Sequence, residues 1–195
     1  AAAVPFGVVV TTLYGGDVDL RVSGSGNIGA TNVARVFGWR IAAPVLLLDV
    51  AKGLLPVGLA TVLWPEAGLA FSALVGLTAF AGHCYPVYLE FEGGKGVATA
   101  AGVLSALAPV PTALAVVIWG ALLAATGRSS VATLGATFGM VLLTAWLAPA
   151  VVPVAATLAV GIGVRHVANI RRIVRGEEAE IVRPAAGNSF FWPQR

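Results

Sequence analysis

"IAAPVLLLDVAKGLLPVGLATVL", residues 41–63, carries two charges, Asp49 and Lys52, in an otherwise apolar stretch. Crossing about 30 Å of hydrocarbon takes about 20 predominantly apolar residues, so these residues read as a membrane helix. Asp49 and Lys52 are three apart and share one face of it. Ionisable groups inside a bilayer are functional by default. A mutual ion pair that bolts this helix to its neighbours is the equally weighted alternative.

That helix decides how the glycines before it read. "SGSGNIGATN", residues 23–32, contains Gly24, Gly26 and Gly29 in the order G-x-G-x-x-G. Val18, Leu20 and Val22 alternate as a short strand would, and Asp49 lies twenty residues past Gly29. These are the formal parts of a nicotinamide-binding fingerprint, which needs alternating strands and amphipathic helices and an acid facing the ribose. Asp49 sits instead within a bilayer helix, so the dinucleotide reading fails. "GGKG" at 93–96 is not a Walker loop either, because Leu89 and Gly96 stand where a Gly and a Ser or Thr are required.

Composition points the same way. Of 195 residues, 58% are hydrophobic and 11% charged, against about 25% charged in a soluble domain. Apolar runs lie at 1–14, 41–63, 67–82, 97–108, 111–126, 131–148 and 151–165. If each crosses the bilayer, one side receives Arg21, Arg35, Arg40, Lys95, Arg128, Arg165, Arg171, Arg172, Arg175, Arg183 and Arg195, and the other side receives no Lys or Arg. Lys52 is the one basic residue left over. By the positive-inside rule the chain is expected to be an all-α integral membrane protein with seven transmembrane helices, its N-terminus outside and its C-terminus cytoplasmic. Residues 1–178 form one transmembrane domain and 179–195 a polar tail. Trp39, Trp64 and Trp146 fall near span ends, as interface anchors do. The first run opens without a methionine or a basic region, so it does not read as a signal peptide, and the front of its helix is expected to be missing. Runs 67–82, 97–108 and 151–165 are short. The cytoplasmic segments beside them are therefore expected to dip into the membrane, which irregular backbone tolerates only when buried in protein or lining a wet cavity.

Polar chemistry concentrates in three cytoplasmic stretches: "GSGNIGATNVAR" (24–35), "GHCYPVYLEFEGGKGVAT" (82–99) and "RHVANIRRIVRGEE" (165–178). The first two combine glycines, one basic residue and hydroxyls, and each runs straight into a helix. Glycines let backbone N–H groups converge on an anion, and a helix N-terminus adds partial positive charge. Two phosphate sites follow: Ser25, Gly26, Asn27, Gly29, Thr31, Asn32 and Arg35 in one loop, Gly93, Gly94, Lys95, Gly96 and Thr99 in the other. Packing of small residues in a membrane bundle is the plainer explanation of the glycines, but two basic loops on one side favour anion binding. In the third stretch His166 and Asn169 share a helix face; either that face completes the site, or the stretch is a juxtamembrane basic helix whose arginines bind anionic headgroups, and the two readings weigh equally. Cys84, the sole cysteine, is expected to be inert. His83 and His166 are too few and too far apart for a metal site, and neither a metal nor a cofactor is expected. His83 either packs at the loop entrance or touches substrate. Glu90 and Glu92 either steer Lys95 or solvate the loop.

Together these stretches resemble the PlsY family, the acyl-phosphate-dependent glycerol-3-phosphate acyltransferases of bacterial membranes. "GSGNIGATN" with Arg35 looks like the family's first motif. The second stretch is similar to G-H-x-(F/Y)-P-x-x-x-x-F-x-G-G-K-G-V-A-T, and the third to R-H-x-x-N-I-x-R-x-x-x-G-x-E. "PFG" at 5–7 and "LDVAKG" at 48–53 also match. The resemblance covers about residues 4–178; the tail beyond departs from the family pattern. It implies transfer of a fatty acyl group from acyl phosphate to the sn-1 hydroxyl of glycerol 3-phosphate, giving lysophosphatidic acid and inorganic phosphate. It further implies a multi-pass protein of the bacterial inner membrane with its site facing the cytoplasm. Ser25, Arg35, Lys95, His166 and Asn169 would form the polar site, and the loop 93–96 would chiefly hold glycerol 3-phosphate. The implied partners are the two substrates, membrane lipid and an upstream enzyme that makes acyl phosphate, with no nucleic acid. A monomer suffices, because all three motifs lie on one chain.

Acyl phosphate is already activated, so no covalent acyl-enzyme is needed. Positioning and charge stabilisation by Lys95, Arg35 and backbone N–H groups carry the reaction. The hydroxyl proton goes to a substrate phosphate in preference to His166, which serves as an orienting donor. H-x-x-x-x-D is absent: Tyr88 follows His83 at that spacing and Arg171 follows His166. A transporter or flippase of a phosphorylated molecule is the rival from another class. It should show paired motifs in two halves and polar residues on both faces. Here the motifs crowd one face. A structural lipid-binding protein would not need two phosphate loops.

Overall fold

The structure is a computed structural model and describes residues 2–14 and 18–181. The tail from 182 onward, with Arg183 and Arg195, lies outside the described residues. Within them the secondary structure is helical: α1 (Phe6–Leu13), α2 (Ala30–Phe37), α3 (Trp39–Leu63), α4 (Gly68–Cys84), α5 (Val97–Leu107), α6 (Pro109–Thr126), α7 (Ser129–Leu147), α8 (Val152–Arg165) and α9 (Val167–Val174). The alternating residues 18–22 form turns and no strand.

Each of the seven apolar runs contains one helix, and four segments are long and apolar enough to cross a membrane: Trp39–Leu63, Pro65–Leu89, Pro109–Thr126 and Ser129–Leu147. The run at 67–82 is extended by short 3-10 turns at both ends of α4. Pro149–Arg165 joins Val167–Val174 across a 64° bend to make a fifth candidate. Large apolar side chains face outward, among them Leu47 on α3 and Val117 on α6, each 68% exposed. Such a surface is what lipid solvates and water does not.

In lipid the hydrophobic effect no longer drives helices together, so small residues that permit close contact do. The α3–α5 seam follows that rule. A methyl group at Gly53 would collide with the Thr99 carbonyl, and one at Gly102 with the Val50 carbonyl. Gly76 on α4 is similarly closed in by Val103 and Val57. The main core gathers Val57, Phe80, Cys84, Val103, Met140, Leu158 and Ile162 from five helices, and a second cluster of Val10, Leu20, Val33 and Val45 seats α1 and α2 against α3.

Helix α5 has only 11 residues, about 16 Å of rise, or half the hydrocarbon. The non-helical segment leading into it is held by protein. Gly93 N–H donates to the Cys84 carbonyl at 3.1 Å and Gly94 N–H to the His83 carbonyl at 3.2 Å. Gly96, at φ +77°, turns the chain into α5 with its α-carbon against the Phe80 ring, a place where no side chain fits.

Candidate active site

A single cavity of about 470 Å³ runs from the connecting loops down between α3, α5, α6, α7 and α8. The N-termini of α2, α5 and α7 all open onto its mouth: Gly29, Ala30 and Thr31, then Gly96, Val97 and Ala98, then Ser129 and Ser130. Each contributes free backbone N–H groups and the positive end of a helix dipole. Deeper, the lining is apolar, with Leu46, Leu104, Ala115, Ala136, Met140 and Leu158.

One chain of hydrogen bonds orders the charged side of the mouth. Lys95 Nζ donates to Asn169 Oδ1 at 2.6 Å, and Asn169 Nδ2 donates to Glu178 Oε1 at 2.6 Å. Ser130 Oγ donates to the same Glu178 oxygen at 2.6 Å, and Arg172 Nε donates to Oε2 at 2.8 Å. Glu178 thus dictates which way the Asn169 amide faces. Burial pushes the Glu178 carboxyl up, but the bonds from Ser130, Asn169 and Arg172 outweigh it and hold the group below the usual carboxylate range. Burial pulls Lys95 down to about 8; Glu178 opposes the shift, and Arg172, Arg35 and Arg165 add to it.

His166 lies between α8 and α9, buried, with Nδ1 2.8 Å from the Ile162 carbonyl. A carbonyl can only accept, so Nδ1 carries the proton. Burial, with the Lys95 charge second, pushes His166 down to about 4. The ring is therefore neutral near pH 7 and offers Nε2 as an acceptor. The sequence suggested an orienting donor; the bond to Ile162 takes up the Nδ1 proton and leaves Nε2 as a hydrogen-bond acceptor.

On the first loop, Asn32 is fully engaged within the fold. Its Oδ1 accepts from Ser25 N–H at 2.8 Å, and its Nδ2 donates to the Ser23 and Leu20 carbonyls. It shapes the loop from within. Ser25, Asn27, Gly29, Thr31 and Arg35 line the cavity beside it. Among the described residues Arg35 makes no hydrogen bond or ion pair with protein, which leaves its guanidinium for an anion.

Asp49 and His83 also line the cavity, from α3 and α4. Gly26, Lys52, Gly93, Gly94 and Thr99 are not part of the lining. Thr99 is fully buried against α3, and its Oγ1 has no hydrogen-bond partner among the described residues. Glu90 and Glu92 are exposed and stand off the cavity. Two residues were missed by the sequence reading. Glu178 was one of the two carboxylates in "RGEE". Arg165 donates from Nη2 to the Gly93 carbonyl at 2.6 Å and from Nε to the Gly94 carbonyl at 3.1 Å, with its guanidinium over the Tyr85 ring. Among the described residues no three His, Cys, Asp or Glu side chains gather as a metal ion would need.

The fold and this cavity define a helical protein of the integral-membrane class with a cationic, N–H-rich site at one end of an apolar channel. Comparison with known proteins narrows the class. Residues 1–176 match the family described as glycerol-3-phosphate acyltransferase. A glycerol-3-phosphate acyltransferase of Anaeromyxobacter sp. (strain Fw109-5) is 48% identical over 91% of this chain and 90% of its own length. That of Neisseria meningitidis serogroup A is 45% identical, with 90% of each chain covered. Among solved structures, PlsY (YgiH), an integral membrane glycerol 3-phosphate acyltransferase, superposes in its glycerol 3-phosphate form with a TM-score of 0.85 at 35% identity, covering 92% of this chain and 89% of that one. Its lysophosphatidic acid form gives 0.83 at 34%. The chain belongs to the glycerol-3-phosphate acyltransferase family.

Proposed function

We propose that this enzyme transfers a fatty acyl group from acyl phosphate to the sn-1 hydroxyl of glycerol 3-phosphate, releasing lysophosphatidic acid and inorganic phosphate. The observation that carries the reading is the continuity of the cavity. Three helix N-termini with Arg35 and Lys95 surround its mouth, and an apolar channel leads on from them. A donor with both a phosphate and a long acyl tail suits that combination, and a second phosphate on the acceptor suits the second loop.

The reaction is a direct displacement. The hydroxyl oxygen of glycerol 3-phosphate attacks the acyl carbonyl carbon, the new C–O ester bond forms, and the bond to the departing phosphate breaks with its electron pair going to phosphate. Lys95 and Arg35 stabilise negative charge on the phosphates, and the N–H groups at the start of α5 do so for the carbonyl oxygen. His166 Nε2 accepts a hydrogen bond from the substrate's other hydroxyl and orients the molecule, so the attacking hydroxyl keeps its one hydrogen directed at a phosphate oxygen. The proton goes to phosphate, because a phosphate monoester has a second pKa of about 6 while His166 lies at about 4. The lower group is the poorer acceptor by about two pKa units.

Seven crossings, with the N-terminus outside and the three polar stretches facing the cytoplasm of a bacterial inner membrane, are part of the same proposal. The charge distribution supports this topology, and α5 with its buried approach loop makes a crossing that need not be helical throughout. The chain acts as a monomer fed by an upstream enzyme that makes acyl phosphate. The test is purified protein in lipid with labelled glycerol 3-phosphate, offered acyl phosphate or acyl coenzyme A separately. The expected result is lipid product from acyl phosphate alone, with one phosphate released per acyl group. Product from acyl coenzyme A alone would overturn the donor. No product from either would turn attention to transport across sealed vesicles.

A further inference from the structure

Asp49, His83 and Lys52 are buried together, each at most 6% exposed, yet none belongs to the hydrogen-bond chain of the site. Lys52 Nζ lies 2.7 Å from Asp49 Oδ1 and donates to the Val4 carbonyl at 3.2 Å, with the Phe6 ring 5.4 Å away. The lysine therefore ties the start of the chain to α3 and balances the Asp49 charge in place. The same Asp49 Oδ1 also faces His83 Nδ1 at 3.5 Å, a close polar contact without hydrogen-bond geometry. A nitrogen turned toward a carboxylate carries a proton, and the ring's other nitrogen is Nε2. That Nε2 lies against Gly94, so closely that a methyl group there would overlap it.

Gly94 is gripped on three sides. Its N–H donates to the His83 carbonyl at 3.2 Å, its carbonyl accepts from Arg165 Nε at 3.1 Å, and its α-carbon faces the His83 ring. The next residue is Lys95. We infer that Asp49 and His83 are a positioning pair: the carboxylate fixes the imidazole, and the imidazole fixes Gly94 and with it the Lys95 ammonium. The pair is a His–Asp couple assembled across α3 and α4, and its task is to hold the loop, not to take a proton. This rests on the proposed assignment of the Lys95 loop to glycerol 3-phosphate. The consequence is specific: disturbing the pair loosens the Lys95 loop without removing the ammonium, so it weakens glycerol 3-phosphate binding far more than it slows the chemical step, and it spares the acyl donor.

The test measures kcat, both KM values and the melting temperature for the full chain in lipid. His83→Ala and Asp49→Asn are expected to raise the KM for glycerol 3-phosphate about tenfold or more, with kcat and the KM for acyl phosphate within about threefold of wild type. Gly94→Ala alone is expected to be worse, because its methyl meets the ring. In His83→Ala/Gly94→Ala the ring is gone, so the double variant should be no worse than His83→Ala. If Asp49→Asn does not fold because it strands the Lys52 charge, Asp49→Asn/Lys52→Met removes both charges and should show the same KM effect. Additive losses at His83 and Gly94 would overturn the inference, since they mean that the ring acts independently of Gly94. So would a fall in kcat at constant KM, or kinetics unchanged from wild type. Wild-type protein that gives no acylated product would instead sink the function on which the inference rests.

Discussion

Lys95 stands where two demands meet, a cation for phosphate and a place inside the protein. Burial lowers its pKa to about 8, so the free enzyme loses this charge as pH rises through that value. An anionic substrate favours the protonated form, so bound phosphate raises the pKa again. The expected profile is a kcat/KM for glycerol 3-phosphate that falls above about pH 8, while kcat at saturating substrate holds its plateau further into alkali. Coincident falls would remove Lys95 from the binding step. Lys95→Ala should abolish measurable turnover with the melting temperature little changed. Glu178→Ala should do more than lower turnover. It strips the acceptor from Ser130, Asn169 and Arg172 together, so the melting temperature should drop with activity, each lost bond to a charged group costing about 1.5–3 kcal/mol.

At the scale of elements, the α3–α5 seam is the joint that brings the Lys95 loop to the wall formed by α3. Gly53 and Gly102 meet backbone carbonyls there, and backbone cannot rotate away as a side chain can. Gly53→Ala or Gly102→Ala should therefore destabilise the protein by about 1–3 kcal/mol, the usual cost of overpacking. Gly58 on α3 and Gly120 on α6 have nothing near the position a methyl would take. Alanine there should be neutral or stabilising by about 0.4–1 kcal/mol, through lost freedom in the unfolded chain. Thermal unfolding in detergent separates the pairs. Equal effects at all four positions would mean that the close contact of α3 with α5 is not what holds the seam.

For the whole molecule, the decisive feature is that one cavity has a cationic mouth and an apolar interior. If the interior takes the acyl tail, filling it should shorten the donor that the enzyme prefers. Ala115→Phe and Ala136→Phe, both on the lining, are expected to lower kcat/KM for long-chain acyl phosphate and leave short-chain donors near wild type. Each methylene denied burial is worth about 0.8 kcal/mol. An unchanged chain-length profile would place the tail elsewhere. Topology is testable on the same protein, because the sole cysteine, Cys84, is buried. Glu66→Cys should react with a membrane-impermeant maleimide on intact cells, and Arg175→Cys only after the membrane is opened.

The sequence by itself determined the helical, membrane-borne character of the chain, its apolar segments and the stretches that hold its chemistry. Those properties are local: hydropathy over about 20 residues, charge between runs, and glycine-rich turns into helices are all readable along one dimension. Tertiary structure decided what each polar residue does. Asn32 and Thr99 carry the residue types of a phosphate site; the fold ties the amide of one, at the cavity wall, into its own loop and buries the other. Glu178 and Arg165 looked like ordinary juxtamembrane charges, and the fold gives one the Asn169 amide to hold and the other the carbonyls of Gly93 and Gly94. No spacing rule connects Lys95 with Asn169, 74 residues apart, or sets Asp49 against His83. Buried polar groups such as the Asn32 and Asn169 amides take the partners that packing supplies, because leaving them without any costs more than a local preference returns, and packing is settled only when the helices meet.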